Sequence, residues 1–199
     1  MTERKLSPVA LLLLLFTGLS GCLSTSAKEM RMSILPDLDY PVYRKRTIED
    51  RAGNLVQLTL LGLNKRTTVE MDNNYRTNTI PLVDVYVLWE MKRKVSRHYS
   101  MSFTCSGGDS DYYIRTAAGE IHPIRAIARG PVFPGTWPLH PNQGGLLVFS
   151  FPGYDPDKAP VFNMIEGGRS SIHDAAYNTK IKDPSRWNFL GCRAVRRTP

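Results

Sequence analysis

Apolar and polar residues alternate along much of this chain, which is the pattern of half-buried β-strands. The strongest alternation covers residues 82–91. One face of that segment would carry Val83, Val85, Val87, Trp89 and Met91, and the other would carry Leu82, Asp84, Tyr86, Leu88 and Glu90. Residues 55–61 and 98–105 alternate in the same way, and the second of these segments places Cys105 on the core side at a strand end.

Further strands and one helix are predicted by weaker patterns. Residues 111–116 and 121–128 predict a hairpin, because Gly119 between them is free to adopt a positive φ angle. Residues 146–151 and 159–164 are two more candidate strands. Residues 171–178 start with a Ser-x-x-Asp signal, which predicts one short helix near the C-terminus. Many short strands and little helix predict a mostly β fold, arranged as a β-sandwich.

The N-terminus carries an export signal. Arg4 and Lys5 precede an apolar run over residues 9–16, which is shorter than the ~20 residues of a membrane-spanning helix. The run leads to Leu19-Ser20-Gly21-Cys22, which resembles the lipobox of bacterial lipoproteins. The resemblance implies that residues 1–21 are a signal peptide and that Cys22 carries diacylglycerol and a further acyl chain such as palmitate. An ordinary signal peptide that ends at a chance Cys is the alternative.

A lipid on Cys22 would also set the location of the protein. Each buried methylene of an acyl chain contributes ~0.8 kcal/mol, so two or three chains anchor firmly. Leu23 stands where an Asp usually retains enteric lipoproteins at the inner membrane. We therefore expect a periplasm-facing protein at the outer membrane, with the inner membrane as the alternative. Residues 22–35 would form a lipidated tether, and residues 36–199 a single domain.

A second resemblance concerns the domain. An apolar strand and a strand carrying a Cys are followed by two motifs: Tyr112-Tyr113-Ile114-Arg115-Thr116-Ala117-Ala118-Gly119-Glu120 and Pro141-Asn142-Gln143-Gly144-Gly145-Leu146-Leu147-Val148-Phe149. This order is similar to that of the immunoglobulin-like domains of small bacterial lipoproteins of unknown function. It lacks the core Trp between two cysteines that antibody domains have. The resemblance implies an immunoglobulin-like β-sandwich and no catalytic residues.

The cysteine count fits an oxidising compartment. If Cys22 carries the lipid, Cys105 and Cys192 are left as an even pair. The simplest assignment is one disulfide between them, which would contribute ~4 kcal/mol by restricting the unfolded chain. Two separate buried thiols are the alternative.

The charge of the chain favours anionic neighbours. The formal net charge is +8, and it falls to +7 once Glu3, Arg4 and Lys5 leave with the signal peptide. Lipid headgroups, phosphorylated envelope polymers or an acidic protein face would suit such a surface, whereas export disfavours nucleic acid. A solvated basic surface is the alternative. The basic residues cluster as Arg44-Lys45-Arg46, Lys65-Arg66, Lys92-Arg93-Lys94 with Arg97, and Arg193 with Arg196 and Arg197.

The sequence holds no signature of a catalytic or metal centre. It contains no Gly-x-Ser-x-Gly, His-Glu-x-x-His or Cys-x-x-Cys, and its 4 histidines are dispersed, so we expect neither metal nor cofactor. Asp109-Ser110-Asp111 and Asp155-Pro156-Asp157 each bring two carboxylates together, which would suit calcium. Turn chemistry explains both of these segments more simply.

We therefore expect a non-enzymatic binding or assembly module of the envelope with a protein partner. Two alternatives stay open: a lipoprotein of a secretion or conjugation apparatus, and an enzyme acting on peptidoglycan or phospholipid. The candidate binding surface is the Pro- and Gly-rich loop 130–145, in which Phe133 and Trp137 would anchor the partner or else cover the core. An exposed edge-strand patch would favour binding, and a carboxylate or His beside a nucleophile in a pocket would favour an enzyme.

Overall fold

The computed structural model describes residues 37–49, 53–93, 100–101, 112–128, 137–138, 144–167 and 186–198. The predicted signal peptide, the tether and the helix 171–178 lie outside these ranges. Within them, no helix is long and apolar enough to cross a membrane. The described elements are the strands β1 (Tyr40–Glu49), β2 (Leu55–Met71), β3 (Thr77–Arg93), β4 (Ser100–Met101), β5 (Tyr112–Thr116), β6 (Ile121–Pro123), β7 (Ala126–Ala128), β8 (Trp137–Pro138), β9 (Gly144–Pro152), β10 (Val161–Glu166) and β11 (Phe189–Arg193).

The first sheet is antiparallel and has the order β1-β2-β3-β9-β7. At its centre lies the hairpin of β2 and β3, two strands of 17 residues each. The alternation predicted for residues 82–91 is confirmed, because Val83, Val85, Val87, Trp89 and Met91 all join the main core. Leu88, on the opposite face, packs instead with Leu38 and Leu61 in a second, smaller cluster.

A β-bulge in β2 keeps its apolar side chains on the core side. The pairing of β2 with β3 shifts between Leu60 and Gly62, so that Leu60 and Leu63 lie in the main core although they are three positions apart. Gly62 is required at this point. A Cβ atom there would lie 2.5 Å from the carbonyl oxygen of Tyr40, which is closer than any side chain tolerates.

The second sheet is also antiparallel and has the order β11-β10-β5-β6. The predicted hairpin at Gly119 is confirmed as the β5–β6 turn, where Gly119 has φ 89° and its N–H donates to the Thr116 carbonyl oxygen. A short two-stranded ladder joins β4 to β8. The chain is therefore mostly β, as predicted, with two principal antiparallel sheets.

The main core draws on both principal sheets. β1, β2, β3 and β9 contribute from the first sheet, and β5, β10 and β11 contribute from the second. The largest fully buried side chains in the described ranges include Tyr40, Phe149, Phe151, Phe162 and Phe189. Burial of such side chains contributes roughly 1.5–3 kcal/mol each, which makes this cluster the main stabilising feature of the described fold.

Residues 121–128 differ from the sequence-based prediction of one continuous strand. They form β6 in the second sheet and β7 in the first. The change occurs between two consecutive residues: the Ile124 N–H donates to the Tyr112 carbonyl oxygen, and the Arg125 N–H donates to the Ser150 carbonyl oxygen. The segment thus ties the two sheets together.

Candidate binding site: the β2–β3 arm

The β2–β3 hairpin extends beyond the strands on either side of it. The last pair between β1 and β2 is Tyr40 with Leu63, and the last pair between β9 and β3 is Pro152 with Leu82. The β2–β3 ladder nevertheless continues as far as the pair Met71 and Thr77. Residues 65–81, which we call the arm, therefore form a two-stranded ribbon that projects from the first sheet.

Main-chain groups on one edge of the arm point outward. The Lys65 N–H turns away from β3 and donates to the Asp39 carboxylate at 3.1 Å. Because successive residues of an antiparallel strand direct their main-chain groups to alternate sides, the N–H and C=O groups of Thr67, Val69 and Met71 face this same edge. In the described part of the chain no strand pairs with them, so the β2 edge of the arm offers a ladder of donors and acceptors.

The opposite edge of the arm is less suited to pairing. The Gly153 N–H donates to the Pro81 carbonyl oxygen at 3.4 Å, so Pro81, Thr79 and Thr77 direct their main-chain groups to the β3 edge. Proline supplies no N–H to a ladder. The two edges of one ribbon therefore differ, and the β2 edge is the more complete template for an added strand.

Exposed apolar side chains accompany the open edge. Val69 is 66% exposed and Met71 is 65% exposed. Both lie on the face of β2 that continues from Leu63 in the main core, because side chains two positions apart share a face. At the end of the arm, Tyr75 is 85% exposed. The ribbon thus presents a β-edge and apolar side chains in the same place.

The turn that closes the arm is ordered but strained. The Asp72 carboxylate accepts hydrogen bonds from the N–H groups of Asn74 and Arg76, each at 2.8 Å. Tyr75 adopts φ 59°, a left-handed conformation that costs a non-glycine residue about 1–2 kcal/mol. Glycine normally occupies this position of such turns. The strain and the exposure of Tyr75 together favour a role for its ring in an intermolecular contact.

Ion pairs fix the root of the arm to the sheet. The Arg66 Nε donates to Asp84 at 2.6 Å, and the Ser150 hydroxyl donates to the other oxygen of Asp84 at 2.6 Å. Further out, Arg125 forms an ion pair with Glu70. The base of the ribbon is therefore held in place while its apolar end stays exposed.

A second ion-pair group anchors the other face of the root. The Lys65 ammonium contacts Asp155 at 2.8 Å and Asp157 at 3.0 Å. These contacts raise the pKa of Lys65 above its usual value, and the hydrogen bond from Lys65 lowers the pKa of Asp155. The two carboxylates of Asp155-Pro156-Asp157 thus bind an ammonium in the structure. The Asp157 N–H also donates to the Asp155 carboxylate, which confirms the predicted turn.

A cleft of about 490 Å³ lies beside the root of the arm, lined by Lys65, Arg66, Thr67, Pro81, Leu82, Val83, Gly153, Tyr154, Asp155 and Lys158. This lining contains no Ser, Cys or His. The nearby Ser150 is 2% exposed and already donates to Asp84, so its oxygen is inaccessible to a substrate. The described ranges hold no cluster of three or more His, Cys, Asp or Glu residues that would suit a metal ion.

The residues that the sequence singled out are only partly within the described ranges. Cys22, Cys105 and Phe133 lie outside them, and so does most of loop 130–145. Trp137 lies in β8, where its backbone pairs with Met101. Cys192 lies on β11 as a buried free thiol, and burial raises its pKa to about 11. The described ranges contain no disulfide, so the Cys105–Cys192 bond stays a prediction.

The arm was not recognised in the sequence, although a local signal for it exists. Asp72, Asn73 and Asn74 are turn formers, and they stand between two segments rich in Thr, Val and Ile. The face of Thr68 and Glu70 is only half-buried and the face of Val69 and Met71 is exposed, so no fully buried apolar face marks the ribbon. The turn chemistry alone would have located the hairpin.

Comparisons of the chain with protein-family models, with curated proteins and with solved structures find no match. The arm is therefore interpreted from its own geometry.

Proposed function

We propose that this protein is a lipid-anchored, non-enzymatic binding or assembly module of the bacterial envelope, and that the arm contacts its protein partner. The observation that carries the proposal is the open β2 edge of the arm beside the exposed Val69 and Met71 side chains. The lipobox-like Leu19-Ser20-Gly21-Cys22 supports the lipid anchor at the outer membrane. No step of the proposal requires a cofactor or a metal.

The proposal includes an immunoglobulin-like β-sandwich as the scaffold. It is supported by the main core, which takes buried side chains from both principal sheets. The crossing from β6 to β7 supports it as well, because strands that change sheets connect the two layers of a sandwich. In this arrangement the arm is an extension of one layer beyond the other.

Strand addition is the binding mode that the arm favours. An extended segment of the partner would pair with the main-chain groups of Thr67, Val69 and Met71, and main-chain hydrogen bonds would supply affinity. Its alternate side chains would lie beside Val69 and Met71, so the partner segment should be apolar at every second position. Tyr75 at the end of the arm would add an aromatic contact of the kind that dominates interfaces.

A pair of proline substitutions across one rung of the arm tests this mode. Val69 and Thr79 are paired, and each directs its N–H outward at opposite edges. Val69→Pro removes a main-chain N–H on the β2 edge, where the partner would pair. Thr79→Pro removes the equivalent N–H on the β3 edge. Neither N–H takes part in the β2–β3 ladder. A photo-crosslinking residue in place of Thr67 would report the partner in intact envelopes.

We expect Val69→Pro to abolish the crosslinked product and Thr79→Pro to retain it. Both variants should keep the melting temperature of the domain, since neither residue belongs to the main core. Equal crosslinking in the two variants would rule out pairing at the β2 edge. An absence of any crosslink from position 67 in the parent protein would remove the arm as the contact element.

A further inference from the structure

A second surface of the molecule carries a positive charge that the arm does not use. β1 is an edge strand of the first sheet, β11 is an edge strand of the second, and the two lie next to each other. Arg44 and Arg46 pair with Leu60 and Leu58, which belong to the main core, so both arginines lie on the core-facing side of β1. Two guanidinium groups thus point toward the gap between the sheet edges.

This gap is a cleft of about 200 Å³, lined by Arg44, Lys45, Arg46, Asn188, Phe189 and Leu190. The Arg46 Nη1 donates to the Asn188 carbonyl oxygen at 2.6 Å, which fixes that guanidinium against the β11 side. The Lys45 ammonium lies 5.7 Å from the centre of the Tyr43 ring at the rim. One side of the cleft is therefore basic, with Arg46 held in place by a hydrogen bond, and the other side is apolar, formed by Phe189 and Leu190.

The lining of the cleft contains no acidic side chain. Several other cations in the described ranges have carboxylate partners: Lys65 with Asp155 and Asp157, Arg66 with Asp84, Lys92 with Glu90, Arg93 with Glu49, Arg125 with Glu70, and Arg196 with Asp157. Arg44 has no such partner in this part of the chain. An arginine without a carboxylate partner in a cleft is able to pair with an anion.

We propose that the cleft between β1 and β11 binds a phosphate group. A guanidinium matches a phosphate because two parallel N–H groups meet two oxygens, and such charge-assisted bonds are about twice as strong as neutral ones. Arg44 makes this contact, Lys45 adds charge at the rim, and Arg46 holds its position against Asn188. The phosphate belongs either to a free anion or to a lipid headgroup. This inference is independent of the arm.

The test is a calorimetric titration of the full chain in a nonionic detergent. Inorganic phosphate represents the free anion, and sn-glycerol 3-phosphate represents the polar part of an anionic lipid. We expect saturable binding by the parent protein. Tighter binding of glycerol phosphate would assign the site to a headgroup, and tighter binding of inorganic phosphate would assign it to a free anion.

Two substitutions with the same charge change separate the site from general charge. Arg44→Gln should weaken binding about tenfold, since it removes one charge-assisted contact. Lys92→Gln, which affects a lysine already paired with Glu90, should leave the affinity unchanged. The affinity of Arg44→Lys should fall between those of the parent and Arg44→Gln, because lysine keeps the charge but lacks the two parallel N–H groups of the guanidinium. Equal losses in Arg44→Gln and Lys92→Gln, or no saturable binding of either probe, would overturn the proposal.

Discussion

Two tyrosines hold the non-glycine positive φ angles of the described ranges: Tyr43 at 52° and Tyr75 at 59°. Tyr43 marks the irregularity between Pro41 and Arg44 in β1, and Tyr75 closes the arm. Both conformations favour glycine over a residue with a side chain. The two sites therefore carry similar backbone strain, but only Tyr75 belongs to the proposed contact surface.

Replacing Tyr75 with glycine separates stability from binding. Tyr75→Gly should leave stability unchanged or raise it by up to about 1 kcal/mol, because relief of strain outweighs the added flexibility of glycine. The same variant should lose most of the partner crosslink. Thermal unfolding and crosslinking in envelopes measure the two effects. Tyr43→Gly is the matched control and should retain the crosslink; a Tyr75→Gly variant that crosslinks normally would contradict a binding role for the ring.

The ion pairs of Lys65 predict a pH dependence at the root of the arm. The pKa of Asp155 is lowered from 3.8 by Lys65, so its contribution is present above pH 3.8 and is lost as the pH falls through the lowered value. The pKa of Lys65 is raised, so its contribution persists until the pH rises through that raised value. Asp155→Asn should therefore lower the melting temperature by a few degrees at pH 7.

The same variant should match the parent protein at strongly acidic pH, where both carry a neutral side chain at position 155. Thermal unfolding between pH 7 and pH 2 measures this convergence. A constant difference across that range would show that Asp155 acts through its turn hydrogen bonds and not through its charge. The effect should stay small, because these groups are partly exposed and exposed pairs contribute about 0–1 kcal/mol.

The arm is an element that the rest of the fold does not need. A two-stranded ribbon alone is marginally stable, and Val69, Met71 and Tyr75 contribute nothing to either core cluster. Its root is held by ion pairs instead. These features support the proposal that the arm serves an external contact.

Shortening the arm tests its independence. Thr68 and Ile80 form a pair whose main-chain groups face each other, so Asn-Gly in place of residues 69–79 would close a two-residue turn between them. We expect this variant to fold, with an unchanged near-ultraviolet dichroism spectrum, and to lose its partner. A large fall in melting temperature would show that the arm supports the core.

The strand β11 offers a test of the predicted disulfide. If Cys105 and Cys192 are bonded, Cys105→Ala and Cys192→Ala should each cost ~2–5 kcal/mol, and the double variant should cost no more than either one. If Cys192 is only a packed thiol, Cys192→Ala alone should destabilise the domain. Denaturant unfolding distinguishes these outcomes, and peptide mapping without reduction would detect the bond directly.

Burial decides which elements could be predicted from the sequence. Residues 82–91 were predicted because their core-facing positions all carry apolar residues. β1 was missed because Arg44 and Arg46 occupy core-facing positions at a sheet edge, which breaks the alternation. The arm was missed because it has no fully buried apolar face. The split of residues 121–128 depends on hydrogen bonds from Ile124 and Arg125 to different sheets, and no local pattern encodes those.

At the scale of the whole molecule, the lipid anchor is the first property to test. Cys22→Ala should abolish labelling by radioactive palmitate and move the protein out of the membrane fraction, since Cys22 is the only site that the lipobox provides. Leu23→Asp should shift the protein toward the inner membrane where the enteric sorting rule holds. Acyl labelling that persists in Cys22→Ala would disprove the anchor.

If Cys22 carries a lipid, the hydrogen bond between Asp39 and Lys65 limits the height of the arm above the bilayer. It places the entry of the chain into the domain at the root of the arm. About 15 residues separate Cys22 from Asp37, and even a fully extended chain of that length spans only about 50 Å. With its lipid in the bilayer, the protein would search a thin layer next to the membrane surface. Its partner would then present a strand inside that layer, as an integral membrane protein or another anchored protein does.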